Sequence, residues 1–255
     1  MKKLIAANWK MNKNIPEAVS AAKELKKLIK NVKNAEVAIC PPFTALEAVS
    51  RELKKSSMKL GAQNMHFEDY GAYTGDISPL MLKNAGCEYV ILGHSERREF
   101  FNESDLLINK KVVAALRHSL KPILCIGETL GQRSSNKTRE VIDKQLRNCL
   151  DRIDAKQMQK VVIAYEPVWA ISRGNPNIKP ATKEDAEEMH NFIRELLTDI
   201  FDFATAKSTR IIYGGSVKPE NAKELLSMPS INGALVGNAS LNAKDFAEIV
   251  KAAGD

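Results

Sequence analysis

The sequence predicts an α/β fold in which eight parallel strands alternate with helices. Eight short apolar runs recur along the chain, at residues 4–9, 36–40, 58–63, 88–93, 122–127, 160–165, 209–214 and 233–237. Between them, apolar residues recur with the helical period at residues 17–29, 45–55, 107–119, 138–150, 184–200 and 243–253. Strands that alternate with helices pair in parallel through crossover connections. A closed barrel and an open sheet both cover the two faces of such strands, so this pattern leaves both architectures open.

The connections between these elements carry residues that begin helices. Three of them combine a capping side chain with a proline or an acidic residue in the first turn: Asn14 with Pro16, Ser78 with Pro79, and Thr182 with Asp185. No Gly/Ser-rich linker or shift in composition divides the 255 residues. We therefore predict one domain over residues 1–255, a length that α/β barrels commonly reach.

The composition indicates a globular protein in solution. Hydrophobic residues make up 44% of the chain and charged residues 27%, and no apolar run has the length of a transmembrane helix. The start, "MKKLIAANW", has a basic head but lacks the apolar core of a signal peptide. These features predict a cytoplasmic protein with no membrane partner.

The formal net charge of +7 comes from Lys and Arg residues that are scattered along helical faces. Because they are not gathered into one arm, we expect no nucleic-acid partner. A net positive field would still steer a small anionic substrate toward a cleft. The cysteines lie mostly in apolar runs without the spacing of zinc ligands: Cys40, Cys87, Cys125 and Cys149. We predict reduced core thiols, no metal and no cofactor.

Polar residues gather just after the apolar runs, where the strands end. Asn8 and Lys10 lie two positions apart at the end of the first run, so both side chains leave the strand on one side. The fourth run leads into "GHSERR", with His94, Ser95 and Glu96 in a turn before a helix. The carboxyl ends of parallel strands meet on one face, which is where α/β folds hold ligands.

The later strands add a carboxylate and two glycine-containing turns. The sixth run ends in Glu166, the seventh in "YGGS" at Ser216, and the eighth in "VGN" at Gly237 and Asn238. Taken singly, a lysine here is usually solvated, a histidine structural, "GGS" a turn, and residues 96–98 a surface salt-bridge cluster. Together they supply a general base, a hydrogen-bond donor, a cation and backbone N–H groups for an anion. That set suits proton abstraction next to a carbonyl in a phosphorylated substrate.

Motifs spread over nearly the whole chain resemble those of the triosephosphate isomerase family. They are "AANWKMN", "GAQN", "YTGDIS", "ILGHSERR", "CIGE", "AYEPVWAI", "YGGSV" and "GALVGNASL". "EPVWAI" and "GHSERR" are close to diagnostic, whereas "YGGS" alone is weak. The resemblance implies an eight-stranded (β/α)8 barrel. It also implies a glycolytic and gluconeogenic isomerase that interconverts dihydroxyacetone phosphate and D-glyceraldehyde 3-phosphate.

The resemblance implies three central roles at the mouth of the barrel. Glu166 would be the base that takes a proton from one carbon and returns it to the neighbouring carbon through an enediolate. His94 would polarise the carbonyl and move protons between the oxygens, the roles already assigned to the family's glutamate and histidine. Lys10 would stabilise the negative charge of substrate and intermediate.

Supporting roles follow from the same resemblance. Asn8 would position the substrate oxygens. Glu96 would orient Lys10, and Ser95 would hold the resting glutamate. The phosphate would be bound by backbone N–H groups near residues of three loops: Ser172, Ser216, Gly237 and Asn238.

Residues 64–78 correspond to the family's arm, which inserts into a second subunit and supports the active-site lysine. Thr74 at its tip would contact that subunit, so the resemblance implies a homodimer. From the residues alone, a long polar loop between a strand and a helix is often functional.

Residues 166–180 correspond to the family's active-site lid, and here the chain departs from the family pattern. The lid usually reads "WAIGTGKTAT", whereas this chain has "WAISRGNPNIKPAT". Ser172 and Arg173 replace a glycine and a threonine, Asn175 replaces a lysine, and a few extra residues precede Thr182. Asn238 stands where a second glycine is usual, an exchange that asparagine tolerates because it accepts positive φ. We expect catalysis to be retained and lid closure to be altered.

Two other interpretations stay open. Lys10 would form a Schiff base in an aldolase-like barrel, which borohydride trapping with a carbonyl substrate would reveal. Alternatively, the chain would be a phosphate-ligand-binding scaffold whose altered lid has abolished turnover. A coupled assay with glyceraldehyde 3-phosphate separates these hypotheses from the isomerase.

Overall fold

A closed barrel of parallel strands forms the centre of the protein. In the computed structural model, which describes residues 1–171 and 181–254, the strands are β1 (Lys3–Asn8), β2 (Ala35–Cys40), β3 (Lys59–Ala62), β4 (Tyr89–Leu92), β5 (Lys121–Ile126), β6 (Val162–Tyr165), β7 (Arg210–Tyr213) and β8 (Gly233–Val236). They pair in chain order, and β8 pairs with β1 to close the ring. Each strand overlaps one predicted apolar run. The predicted α/β class and the barrel implied by the resemblance are both confirmed.

Helices surround this barrel. In the described part of the chain they are α1 (Ile15–Leu28), α2 (Leu46–Leu53), α3 (Pro79–Asn84), α4 (Ser95–Phe100), α5 (Asp105–Arg117), α6 (Leu130–Ser134), α7 (Thr138–Cys149), α8 (Ala155–Met158), α9 (Lys183–Ile200), α10 (Phe203–Ser208), α11 (Pro219–Leu226) and α12 (Ala243–Gly254). The periodic stretches correspond to α1, α2, α5, α7, α9 and α12. The other helices have at most 8 residues and were not predicted from periodicity. None of the described helices is long and apolar enough to cross a membrane.

Residues along each strand alternate between the barrel interior and the layer beneath the helices. Leu4 and Ala6 of β1 belong to the interior cluster, whereas Ile5 and Ala7 belong to the outer cluster together with Phe246 of α12. All five are buried. Because both faces of the strands are covered, the apolar runs lack the polar alternation of half-exposed strands.

The three predicted helix starts are present. The Asn14 side chain accepts from the backbone N–H of Glu17 (3.1 Å), and the Glu17 carboxylate accepts from Asn14 N (2.9 Å). Ser78 caps α3 through its hydroxyl oxygen. Thr182 and Asp185 form the same reciprocal box, with distances of 3.0 and 3.1 Å. These caps satisfy first-turn donors and fix where loops from the barrel mouth end.

The cysteines are free and buried, as predicted. Burial raises the pKa of Cys87 and of Cys149 to about 12. Both thiols therefore stay protonated at neutral pH and act as small apolar groups.

His190 of α9 is a fully buried titratable residue outside the cleft. Its ring lies edge-on to Tyr165, with centroids 6.2 Å apart, and 6.5 Å from the ring of Tyr213. Its Nδ1 lies 3.2 Å from Ser230 O, and Nε2 has no hydrogen-bond partner among the described residues. Burial lowers the pKa of His190 from 6.5 to about 4. The imidazole is therefore neutral at neutral pH, and its Nδ1–H donates to Ser230 O.

We expect protonation of His190 to destabilise the fold in acid. The unfolded chain binds this proton near pH 6.5 and the native chain only near pH 4, so the free energy of unfolding falls as pH drops through that window. The difference between these two pKa values corresponds to a loss of about 3 kcal/mol in the free energy of unfolding. In His190→Gln, which does not titrate, urea unfolding should show a smaller loss of stability between neutral pH and pH 4 than in the parent. Equal losses in the two proteins would contradict this assignment.

Candidate active site

The carboxyl ends of the strands open into a cleft of about 550 Å³. Its lining includes eight of the residues that the sequence singled out: Asn8, Lys10, His94, Glu96, Glu166, Ser216, Gly237 and Asn238. They end or follow β1, β4, β6, β7 and β8, so closure of the barrel brings them together. Ser172 and the lid changes at Arg173 and Asn175 lie outside the described residues.

Glu166 follows β6 and is held from both its backbone and its side chain. Its backbone N–H donates to Ile126 O of β5 at 2.7 Å, which extends the ladder past the end of the strand. Only 2% of the residue is exposed. One carboxylate oxygen accepts from Ser95 N at 2.9 Å, and the other lies 3.1 Å from His94 Nε2. A buried carboxylate needs such donors because loss of its hydration is costly.

His94 presents the Nε2 side of its ring to Glu166. Its Nδ1 accepts from the backbone N–H of Glu96 at 3.2 Å, at the start of α4. Since an accepting ring nitrogen carries no proton, the neutral imidazole has its proton on Nε2. Nε2–H therefore donates to Glu166 Oε1. In the cleft this N–H is a neutral hydrogen-bond donor.

Ser95 holds Glu166 through its backbone and not through its hydroxyl. Its N–H is the donor to the carboxylate, while its Oγ is buried without a hydrogen-bond partner among the described residues. The family resemblance implied that Ser95 holds the glutamate but did not indicate which of its atoms makes the contact. The donor is a first-turn N–H of α4, a group that helices leave free for an acceptor.

Lys10 has a constrained backbone as well as an ion pair. Its φ is +53°, in the left-handed region that few non-glycine residues adopt. The Asn8 side chain accepts from Lys10 N at 3.1 Å, and the Gln63 amide donates to Lys10 O at 2.9 Å. The ammonium group lies 2.7 Å from Glu96 Oε1. Gln63 was not recognised as a site residue, although it lies in the quoted motif "GAQN".

The loops after β7 and β8 form a further wall of the cleft. Ser216 follows β7, and Gly237 follows β8 with its Cα close to the Lys10 side chain: a Cβ there would lie 3.4 Å from Lys10 Cε. Asn238 begins a short 3₁₀ helix over Asn238–Leu241. This wall can therefore present backbone N–H groups to an anion beside the Lys10 ammonium.

Glu128 is a second buried carboxylate at the barrel mouth, missed in the sequence although it ends the motif "CIGE". Trp169 Nε1 donates to its Oε1 at 2.7 Å, and Tyr165 OH donates to its Oε2 at 3.1 Å. Burial raises its pKa. The guanidinium of Arg133 stacks on Trp169 with 4.1 Å between its Cζ and the ring centroid. The segment just after Glu166 is thereby tied to the loop after β5.

The polar loop after β3 projects from the barrel. His66 N donates to Ile77 O at 2.8 Å and closes its base, and the Tyr73 ring lies 4.0 Å from that of His66. Thr74 is exposed at the tip. It does not line the cleft of its own chain.

Comparisons with known proteins relate almost the whole chain to one family. The family model described as "Triosephosphate isomerase" matches residues 3–253. A triosephosphate isomerase from Chloroherpeton thalassium is 54% identical over 253 residues, which are 99% of each chain. One from Carboxydothermus hydrogenoformans is 52% identical over 250 residues, 98% of each chain. The crystal structure of triosephosphate isomerase from Bartonella henselae has a TM-score of 0.88 and 43% identity, with 99% of both chains covered.

The position of the Glu166 side chain depends on Gly214, where an added Cβ would lie 2.7 Å from Glu166 Cγ. We expect Gly214→Ala to displace the carboxylate and lengthen its 3.1 Å contact with His94 beyond hydrogen-bond range. Crystal structures of the variant and the parent would measure the shift. Gly131→Ala is the matched control, since no atom lies within 4 Å of a Cβ at that position. An unmoved Glu166 in Gly214→Ala would refute the dependence.

Proposed function

The chain belongs to the triosephosphate isomerase family, and we propose that its cleft interconverts dihydroxyacetone phosphate and D-glyceraldehyde 3-phosphate with Glu166 as the proton-transferring base. One observation carries this assignment of roles. A carboxylate that is almost fully buried faces the Nε2–H of a neutral imidazole at 3.1 Å, at the mouth of the barrel. A base and a hydrogen-bond donor in contact are the two groups that an enediolate mechanism requires.

The base acts by exchanging its partners. Glu166 releases Ser95 N and His94 Nε2–H, and its carboxylate takes a proton from C1 of dihydroxyacetone phosphate. The electrons of the C–H bond form the C=C bond of the enediolate, and the carbonyl oxygen becomes negative. The donor freed at His94 then faces that oxygen. Return of the proton from Glu166 to C2, with a hydroxyl proton moved from the C1 oxygen to the C2 oxygen, gives the aldehyde.

Burial and positive charge make this weak base effective. A solvated carboxylate has a pKa of about 4.3 and abstracts a proton from carbon poorly. General-base action supplies about 10²–10⁴ in rate, and one well-placed donor to the developing oxyanion supplies about 3–4 kcal/mol. Lys10 adds a fixed cation, positioned by its ion pair with Glu96 and by the contact of Asn8 with its backbone.

The same contacts argue against the Schiff-base alternative. A Schiff base would require the Lys10 amine to leave its ion pair with Glu96, 2.7 Å away. A phosphate-ligand-binding scaffold would use the same phosphate site. It would not explain why Glu166 and His94 are in contact. Family membership over residues 3–253 supports the isomerase over both alternatives.

The phosphate would be bound on the side of the cleft formed by the loops after β7 and β8, by backbone N–H groups at Ser216, Gly237 and Asn238, with Ser172 contributing from the lid. The lid over residues 166–180, and altered closure caused by its changed sequence, stay predictions. The hydrogen bond from Trp169 to Glu128 supports a hinge at the amino end of this segment. Phosphate binding energy would then drive closure and exclude water from the enediolate. The cytoplasmic location and the lack of a cofactor also stay predictions.

Shortening the base tests its role directly. In Glu166→Asp the carboxylate is withdrawn by one methylene, so we expect kcat to fall about 100-fold with little change in KM. A coupled assay with glyceraldehyde 3-phosphate measures both constants, and solvent-tritium exchange into dihydroxyacetone phosphate reports the proton transfer itself. Near-normal turnover would remove Glu166 as the base.

We further propose a homodimer in which the arm of residues 64–78 enters a second subunit. Large apolar side chains are exposed on the arm and on α3, which follows it directly, with the exposed fraction in parentheses: Tyr70 (80%), Tyr73 (44%) and Met81 (56%). Exposed large apolar side chains on segments that follow each other directly are typical of an interface. Thr74 at the tip would then support the neighbouring subunit's Lys10.

A charge at the arm tip should separate the subunits. We expect Thr74→Arg to be monomeric by light scattering at micromolar concentration and its kcat to fall about tenfold or more, because Lys10 loses its support. Ser57→Arg, at an exposed position before the amino end of β3, is the matched control. If the parent protein is itself monomeric, or if Thr74→Arg stays dimeric, the arm does not form the interface.

A further inference from the structure

The ladder between β4 and β5 stops one residue short of the catalytic turn. Its last pair is Leu92 with Leu124, and the next residues along the two strands are Gly93 and Cys125. Gly93 directly precedes His94. The gap therefore lies where the histidine turn leaves the barrel wall.

Arg98 fills this gap with its guanidinium group. Nε donates to Gly93 O at 2.8 Å, and Nη2 donates to Cys125 O at 3.2 Å. Nη1 pairs with Asp105 at 2.6 Å. Only 18% of the side chain is exposed. Arg98 therefore does not belong to a surface salt-bridge cluster, as its neighbours in sequence suggested, but bridges two strands.

We propose that Arg98 is a positioning residue that sets the separation between His94 and Glu166. The proposal rests on the proposed function, in which these two residues act together on the substrate. Arg98 ties the turn that carries His94 to β5. On the other side of β5, Ile126 O accepts the backbone N–H of Glu166 at 2.7 Å. β5 is thus bound to the His94 turn through the Arg98 guanidinium, and to Glu166 through a backbone hydrogen bond.

The side chain of Cys125 provides independent support for this path. Its thiol lies in the barrel interior, and its pKa is raised well above the usual value by burial and then by the Glu166 carboxylate. The residue whose carbonyl oxygen binds Arg98 therefore places its side chain near the base. A shift of the β5 backbone at this point would therefore also move Glu166, which is hydrogen-bonded to the next residue of β5.

Gly93 makes the close approach of Arg98 possible. Its φ is +70°, and a Cβ there would lie 3.2 Å from Arg98 Nη2 and 3.2 Å from Cys125 O. A side chain at this position would both strain the backbone and push the guanidinium away from its acceptors. The contacts of Arg98 therefore require a glycine at position 93.

A lysine at position 98 cannot make all the hydrogen bonds of this arginine. The planar guanidinium directs N–H groups at two carbonyl oxygens and a carboxylate simultaneously, whereas an ammonium is a point donor on a flexible chain. Arg98→Lys keeps the charge and the pairing with Asp105 but loses the bridge between Gly93 and Cys125. This variant isolates geometry from charge.

The matched control is Arg210→Lys. Arg210 is equally exposed at 18%, and it pairs with Glu36 at 2.6 Å and donates to Tyr89 OH at 2.9 Å. It begins β7, so it lies at the amino ends of the strands, opposite the cleft. Both substitutions remove a largely buried guanidinium. Only Arg98 contacts the part of β5 that lies between His94 and Glu166.

The test compares kcat, KM and thermal unfolding of both variants with the parent, assayed below the unfolding range of either. We expect kcat of Arg98→Lys to fall about 10- to 100-fold with KM within about threefold, because small misplacements of catalytic groups cost this much. Arg210→Lys should lose comparable thermal stability and keep the parent kcat. A parent-like kcat in Arg98→Lys, or equal losses of kcat in the two variants, would overturn the positioning role.

A second variant covers the case in which Arg98→Lys does not fold. In Arg98→Ala, added guanidinium at millimolar concentration should restore part of kcat, and the same addition should leave Arg210→Ala unchanged. Absence of such rescue in folded Arg98→Ala would count against the proposal. Normal turnover in Glu166→Asp would remove the proposed base and this proposal together, whereas normal turnover in Arg98→Lys would remove only the positioning role.

Discussion

Closure of the parallel barrel is the constraint on which the rest of the structure depends. In a closed ring of parallel strands all carboxyl ends lie at one mouth, so loops that are distant in the sequence share one cleft. The ladder is extended beyond the strands at the site itself. Glu166 N donates to Ile126 O, and Gly214 N donates to Tyr165 O, both at 2.7 Å. The backbone of Glu166 is therefore part of the barrel's hydrogen-bonded ladder, although the residue lies outside the regular strand.

Buried charge at this mouth is held by fixed donors and acceptors. Glu166 has a backbone N–H and an imidazole N–H, and Glu128 has an indole and a phenol. Each carboxylate would otherwise be costly to bury. The consequence for function differs between the two. Of the donors to Glu166, His94 lines the cleft, whereas the donors to Glu128 tie together two loops.

Backbone groups carry much of this chemistry, and they are the part that residue types reveal least. The strands, the three helix caps and the cleft residues after β1, β4, β6, β7 and β8 followed from apolar runs and from the polar residues after them. The contact made by Ser95 did not, because its N–H binds the carboxylate while its hydroxyl does not. Gln63 was missed for a similar reason: its amide binds the main-chain oxygens of Lys10 and Cys40. An amide in a short polar motif gives no sign of such partners.

The sequence by itself determined the α/β class, the alternation of strands and helices, the helix starts and the set of polar residues at the strand ends. These depend on periodicity and on neighbours within a few positions, which a linear pattern records. Only the tertiary structure decided which polar residues touch and which are buried. Arg98 illustrates the difference: beside Glu96 and Arg97 it has the appearance of a solvated charge, and in the barrel it bridges two carbonyl oxygens of neighbouring strands. That environment comes from β5, which is distant in sequence and adjacent only because the strands pair.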